Sequence, residues 1–157
     1  MADVSAFMDG LKPFFDDHLK RYLADGRDGH FIDGRPFGGP ENTTTLILKT
    51  IGRRSGKPYL TPLIYSRAGQ AYVIVASRGG DDRHPDWFLN LTARDEVDFQ
   101  VAEDRFRGSW RVAEGEERRA LWHHMEHYYP PYAGYQALTT REIPIVLLTA
   151  REKLDSL

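Results

Sequence analysis

Apolar residues follow a helical period at the start of the chain and a strand period through most of the remainder. Val4, Phe7, Met8, Leu11, Phe14, Phe15, Leu19, Tyr22 and Leu23 recur at helical spacing, with Asp16, Asp17, Lys20 and Arg21 on the outer face. Pro13 either kinks this helix or opens a second one at its first position, and Gly26 ends it. Gly26 to Asn42 holds five glycines and two prolines and reads as an irregular connection. Strands then dominate. Thr44–Ile51 and Tyr59–Ser66 are β-branched and aliphatic, and a turn at Arg67-Ala68-Gly69-Gln70 leads into Ala71–Ser77. The centre of that third run is apolar throughout, as expected of a strand covered on both faces. His84–Leu91 reads as a short helix with Pro85 in its first turn. Glu96–Val101 and Arg105–Val112 alternate as half-exposed strands around a hairpin at Ala102-Glu103-Asp104, with Phe106, Trp110 and Val112 inward. Glu114–His127 is a helix with acids in its first turn and Leu121, Trp122 and Met125 on its buried face. A tyrosine-rich loop, Tyr128 to Tyr135, precedes a last strand at Ile143–Thr149.

Six short strands with hairpin connections and a few flanking helices predict a mainly β fold, a closed or half-closed antiparallel barrel with helices outside it. A doubly wound parallel sheet does not fit, because the early strands lie too close together in sequence for helical crossovers. The chain divides into residues 1–42, a helix and an irregular connection, and residues 43–157, the barrel.

Composition narrows the function. A length of 157 residues suffices for one domain with a real core, and 41% apolar and 28% charged residues are ordinary for a soluble protein. A net charge of −2 argues against a protein built to hold nucleic acid. The absence of Cys removes disulfides, thiolate metal sites and Cys nucleophiles. No apolar run is long enough to span a membrane and no signal peptide is visible, which predicts a cytoplasmic protein. The first helix either packs on the domain or rests on a membrane surface, where its mixed polar face gives only weak binding.

Local clusters say more than bulk charge. Gly52-Arg53-Arg54-Ser55-Gly56-Lys57-Pro58 joins the first two strands and carries three cations and no acid. Its glycines let backbone N–H groups converge and its guanidinium forks suit phosphate, so the loop is an anion cradle or a solvated basic hairpin. It is not a P-loop, since three residues rather than four separate the glycines and Lys57 is followed by Pro58. Tyr128, Tyr129, Tyr132 and Tyr135 flank Pro130 and Pro131, which suits a planar, weakly polar ligand or packing on the barrel. His123-His124-Met125-Glu126-His127 matches an inverted zinc-protease pattern, but no obvious third ligand follows on a second helix, the same helix must bury Trp122 and Met125, and no metal is expected. No nucleophile elbow is present.

Five short motifs in order resemble the deazaflavin-dependent nitroreductases and F420H2-dependent quinone reductases. They are Thr50 to Pro58 with Thr61-Pro62-Leu63, then Ala76-Ser77-Arg78-Gly79-Gly80, His84 to Leu91, Tyr129 to Gln136 and Thr140 to Pro144. The resemblance runs from about Thr44 to Thr149 and implies a split β-barrel of the flavin-mononucleotide-binding type, using coenzyme F420 as hydride donor. It puts the cofactor phosphate on Arg53, Arg54 and Ser55, with Lys57 beside them. It lays the ring along Tyr59, Leu60, Thr61, Pro62, Leu63 and Ile64 and along Val75, Ala76, Ser77 and Arg78, with Asp86, Trp87 and Asn90 completing the site. Ser77 would donate to the acceptor, and Tyr129, Tyr132 and Tyr135 would wall its pocket, one of them aiding proton delivery. The acceptor so implied is a quinone such as menaquinone, with nitroaromatics accepted incidentally. Ile64 stands where the nitroimidazole-reducing type carries an aromatic residue, which counts against that activity. The alternatives are an oxidoreductase using flavin mononucleotide or haem, and a non-enzymatic carrier of the deazaflavin or a lipophilic ligand.

Overall fold

The computed structural model describes residues 3–157. Its elements run α1 (Val4–Gly10), α2 (Lys12–Ala24), α3 (Gly26–Gly29), β1 (Phe31–Ile32), β2 (Thr43–Ile51), β3 (Pro58–Ile64), β4 (Ser66–Ala68) and β5 (Ala71–Val75). They continue with α4 (Asp86–Thr92), β6 (Glu96–Val101), β7 (Asp104–Val112), α5 (Gly115–Tyr128), α6 (Pro131–Ala137) and β8 (Ile145–Leu154). All strand pairings are antiparallel, in the order β1-β2-β6-β7-β8-β5-β4, with β3 on the other edge of β2. The sheet curls until β3 and β5 touch without pairing, so the barrel is split along that seam.

Period-2 alternation explains the core. Leu46 and Leu48 of β2, Tyr72 and Ile74 of β5, Phe99 of β6 and Val146 and Leu148 of β8 fill the barrel. The alternate residues Val73, Val75, Ile145 and Leu147 face outward, under Leu121 and Met125 of α5 and Tyr132 of α6. Thus β5 and β8 are apolar on both faces because helices cover the second one. Phe106, Trp110 and Val112 face inward as expected and pack against the barrel core.

The structure departs from the sequence-based expectation in four places. At the N-terminus the second of the two expected arrangements holds, the run breaking at Leu11 with Pro13 in the first turn of α2, but the helices are less buried than expected. Much of its apolar face stays open, with Phe7 61% and Leu23 50% exposed, while the buried residues are His18 and Tyr22. The tyrosine-rich segment is not a loop: α5 runs through Tyr128 and α6 begins at Pro131, whose ring presets a helical start. β8 extends to Leu154 because its polar end pairs with Arg105–Arg107 of β7 across a bulge at Arg107/Gly108. A side chain at Gly108 would meet the Thr149 carbonyl at 1.9 Å, so that bulge demands glycine. Finally, β1 and β4 add two short strands to the six expected.

The N-terminal helices are tied to the barrel by polar contacts. Tyr22 is fully buried, donates to the Thr45 carbonyl at 2.8 Å and accepts from the Ala102 amide at 2.8 Å. Beside it Gln100, which alternation would expose, is only 2% exposed.

Candidate functional site

Two adjoining cavities lie on this framework. One, of about 330 Å³, is lined by Thr50, Gly52, Arg53, Arg54, Ser55, Tyr59 and Asn90. The other, of about 440 Å³, runs past Leu60–Ile64 of β3, Val75 and Ser77 beyond the seam, and Tyr129, Tyr132 and Tyr135. Thr61, Asp86 and Trp87 belong to the walls of both, so a basic cleft opens into a broad apolar groove.

The basic end is a hairpin made rigid by its own backbone. The Gly52 amide donates to the Lys57 carbonyl at 2.8 Å and the Gly56 amide to the Gly52 carbonyl at 2.9 Å. Gly56 sits at φ 71, the left-handed region that suits glycine. Arg53 donates to Asn90 Oδ1 from its amide at 3.0 Å and its guanidinium at 2.8 Å, and lies 3.5 Å from the Asp86 carboxylate. Helix α4 therefore sets the direction of Arg53. Arg54 is exposed and has no ion-pair partner among the described residues, so two guanidinium groups face one carboxylate in the cleft. Lys57 is exposed and does not line either cavity.

The wide end is organised around an irregular turn. Ser77 is 9% exposed and is followed by Arg78 at φ 44, Gly79 at φ 64 and Gly80 at φ 88. A side chain at Gly80 would meet the Tyr135 carbonyl at 2.6 Å, so glycine lets this turn press against α6. Arg78 lines the groove and is held by acids and the N-terminal helix: it pairs with Asp81 and reaches Ser5 Oγ at 3.1 Å and the Asp9 carboxylate at 3.4 Å. Asp81 is thereby neutralised. Ala76 is fully buried in the barrel core and lines neither cavity. Ile64 faces the groove, while Tyr65 points into the barrel core and bonds His30 Nε2 at 2.6 Å.

The tyrosines form a packed series. Ring centroids of Tyr129 and Tyr132 are 5.0 Å apart, and those of Tyr132 and Tyr135 are 6.1 Å apart. Burial raises the pKa of all three above the ordinary phenol value. Each stays a neutral hydrogen-bond donor in ordinary buffers. Tyr128 serves the fold instead, its hydroxyl accepting from the Thr44 amide at 2.8 Å.

Two parts of the site are not visible in the sequence pattern. Arg141 donates to the carbonyls of Asp81 at 2.8 Å, Ser77 at 2.9 Å and Ala76 at 3.2 Å, and lies 3.1 Å from His84 Nδ1. One guanidinium thus fixes both ends of the Ser77 turn. The motif Thr140 to Pro144 holds it, but an arginine there gives no sequence sign of aiming at carbonyls sixty residues earlier. The second part is the groove's outer wall, built from Phe7, Met8, Leu11, Phe14 and Phe15 of the N-terminal helices. Their openness to the groove explains why that helical face is poorly buried.

Comparison with known proteins agrees with this geometry. A family model described as F420H(2)-dependent quinone reductase matches residues 28–150. An F420H(2)-dependent quinone reductase of Mycobacterium tuberculosis is 39% identical over 129 residues, covering 80% of this chain and 82% of that protein. Among solved structures, an F420-H2 dependent reductase is 37% identical with a TM-score of 0.61, over 66% of this chain and 92% of that one. A chain described as a domain-swapped dimer is 33% identical with a TM-score of 0.63, over 85% of this chain and 95% of that one. Match length and identity together establish that the chain belongs to the F420H(2)-dependent quinone reductase family.

Proposed function

We propose that this protein reduces a menaquinone-like quinone with a hydride from reduced coenzyme F420. The observation that carries the reading is the continuity of a basic cleft with an apolar, tyrosine-walled groove through the shared wall of Thr61, Asp86 and Trp87. F420 joins a planar deazaflavin to a phosphodiester and an acidic tail, and the donor set fits it: Arg53, Arg54 and Ser55 suit the phosphodiester. Bound reduced F420 supplies hydride, that is, two electrons and one proton.

The chain's own part is binding, alignment and proton supply. Arg53, pre-aimed by Asn90, and Arg54, free of protein partners among the described residues, hold the anion. Leu60 to Ile64 and Val75 give the groove apolar walls that exclude water. Ser77 and a tyrosine hydroxyl donate to the quinone oxygen as negative charge develops there. Tyr135 suits proton delivery best, being less buried than Tyr129 and Tyr132, and a second proton from water restores it. Hydride plus one proton balances quinone to quinol. The Phe7, Met8, Leu11, Phe14 and Phe15 wall favours an acceptor with a large apolar body, and Ile64 leaves nitroimidazoles as poor substrates. Phe7, on the outer rim of that wall, is the surface through which weak membrane contact would occur.

The test is a fluorescence titration with oxidised F420 beside flavin mononucleotide, and then steady-state oxidation of F420H2 by menaquinone analogues. Saturable F420 binding at micromolar or lower concentration and quinone-dependent turnover are expected. Preference for flavin mononucleotide would overturn the cofactor, and F420 binding without turnover would leave a carrier.

A further inference from the structure

We propose that Thr50 is a ligand-binding residue of the basic cleft, its hydroxyl donating to an oxygen of the anion held there. Among the described residues Thr50 Oγ1 is the single buried side-chain polar atom without a hydrogen-bond partner. The residue is 3% exposed and lines the cleft with Arg53, Arg54 and Asn90. The fold pairs its other β2 threonines readily. Thr43 Oγ1 donates to the Pro40 carbonyl at 2.7 Å, Thr44 Oγ1 to the Tyr65 carbonyl at 2.7 Å and Thr45 Oγ1 to the Gly29 carbonyl at 2.9 Å. The exception falls in the wall of the cleft.

Position makes the exception costly. Thr50 shares the strand parity of Leu46 and Leu48, which face the barrel core, and is directly opposite Tyr59, another cleft residue. Valine has the same shape and would leave no orphan group, so folding gains nothing from the hydroxyl. A bound anion would use it. Rotation about Cα–Cβ exchanges the hydroxyl with the methyl without moving the backbone, which brings the donor to the cleft surface when an acceptor arrives. Under the function proposed above, which this inference deepens, the acceptor is the cofactor phosphodiester. The orphan hydroxyl itself is independent of that identity.

The test uses Thr50→Val and Thr50→Ser with three measurements: the Tm without ligand, the affinity for F420, and the affinity for a deazaflavin carrying its ribityl chain but no phosphodiester. Thr50→Val is expected to melt at or above the wild-type Tm and to bind F420 about tenfold or more weakly, the loss of one charge-assisted bond. Its affinity for the phosphate-free analogue stays within about twofold of wild type, and Thr50→Ser restores most of the F420 affinity. Wild-type F420 affinity in Thr50→Val, equal losses for both ligands, or a clear fall in its Tm would each overturn the proposal. If wild type binds no F420, the cofactor reading fails while the inference stays testable. Pyrophosphate should then raise the Tm of wild type but not of Thr50→Val, and no shift in wild type would overturn the inference too.

Discussion

Replacing Arg141 with lysine keeps the charge and removes the fork, and so isolates what the guanidinium does for the Ser77 turn. Arg141 bonds three carbonyls, those of Asp81, Ser77 and Ala76, at 2.8, 2.9 and 3.2 Å. An ammonium is a point donor on a narrower reach and keeps about one of them. Hydrogen bonds to charged groups contribute roughly 1.5–3 kcal/mol each, and water reaches part of this half-buried site, so the net loss is about 2–3 kcal/mol. For a chain of this size that corresponds to a Tm lowered by roughly 5–10 °C. The functional assay is a double-mutant cycle on quinone-dependent F420H2 oxidation. Ser77→Ala and Arg141→Lys should each lower kcat, and the double variant should fall little below Ser77→Ala alone, because Arg141 acts through the placement of Ser77. F420 affinity should stay near wild type in all three. A Tm change under about 2 °C would show that the carbonyl latch contributes little. Fully multiplicative losses in kcat would show that Arg141 does not work through Ser77.

The same geometry sets further outcomes. Arg54→Ala should weaken F420 binding by about 1–3 kcal/mol with an unchanged Tm, since Arg54 has no protein partner to lose among the described residues. Arg53→Ala, which also strips Asn90 of the guanidinium bond while leaving the one from the backbone amide, should lower both affinity and Tm, by titration and thermal melting. Gly80→Ala places a methyl 2.6 Å from the Tyr135 carbonyl at φ 88, and circular dichroism melting should show a loss of about 2 kcal/mol or more, with turnover lost as α6 is displaced. Burial lowers the pKa of His18 below 6.5, partly opposed by its bond to the Gly29 carbonyl, so the unfolded chain binds the extra proton first. Stability is therefore complete above about pH 6.5 and declines as pH falls through the folded pKa. Urea titrations between pH 7 and 5 should show that slope, with His30 and His84, also lowered by burial, contributing in the same direction. His18→Gln should flatten it.

Features under the control of local patterning were legible in the sequence. Alternation located the main strands, the two-face burial of β5 was readable from its unbroken apolar run, and the acid-free loop at Gly52 to Pro58 marked the basic cleft. Features that depend on partners far away in the chain were hidden. The end of β8 looks like a polar tail until β7 supplies its ladder. Gln100 looks exposed by alternation yet is buried in the fold, its amide donating to the Ala102 carbonyl at 2.8 Å. Lys57 belongs to the basic run by composition, yet the hairpin points it off the cleft. Arg141 and Thr50 are unremarkable in sequence and are singled out only by their bonds, or the lack of one, in three dimensions.

The division of labour in the trough bears on how this family can vary. The cleft end is made from β2, β3, the hairpin between them and α4, all within the span matched by the family model. The acceptor groove is a composite of barrel, α6 and the helices α1 and α2, and those two helices precede the matched span, which begins at residue 28. The proposed cofactor site is therefore held by two strands, the hairpin between them and one short helix. The wall of the proposed acceptor groove comes partly from helices fastened by Tyr22 at one end and by the Arg78 contacts with Ser5 and Asp9 at the other. Changes at Phe7, Met8, Leu11, Phe14 or Phe15 can reshape the groove without touching a barrel hydrogen bond. Under the proposed function, acceptor choice can shift there while cofactor affinity, assigned to the Gly52 to Pro58 hairpin, stays constant.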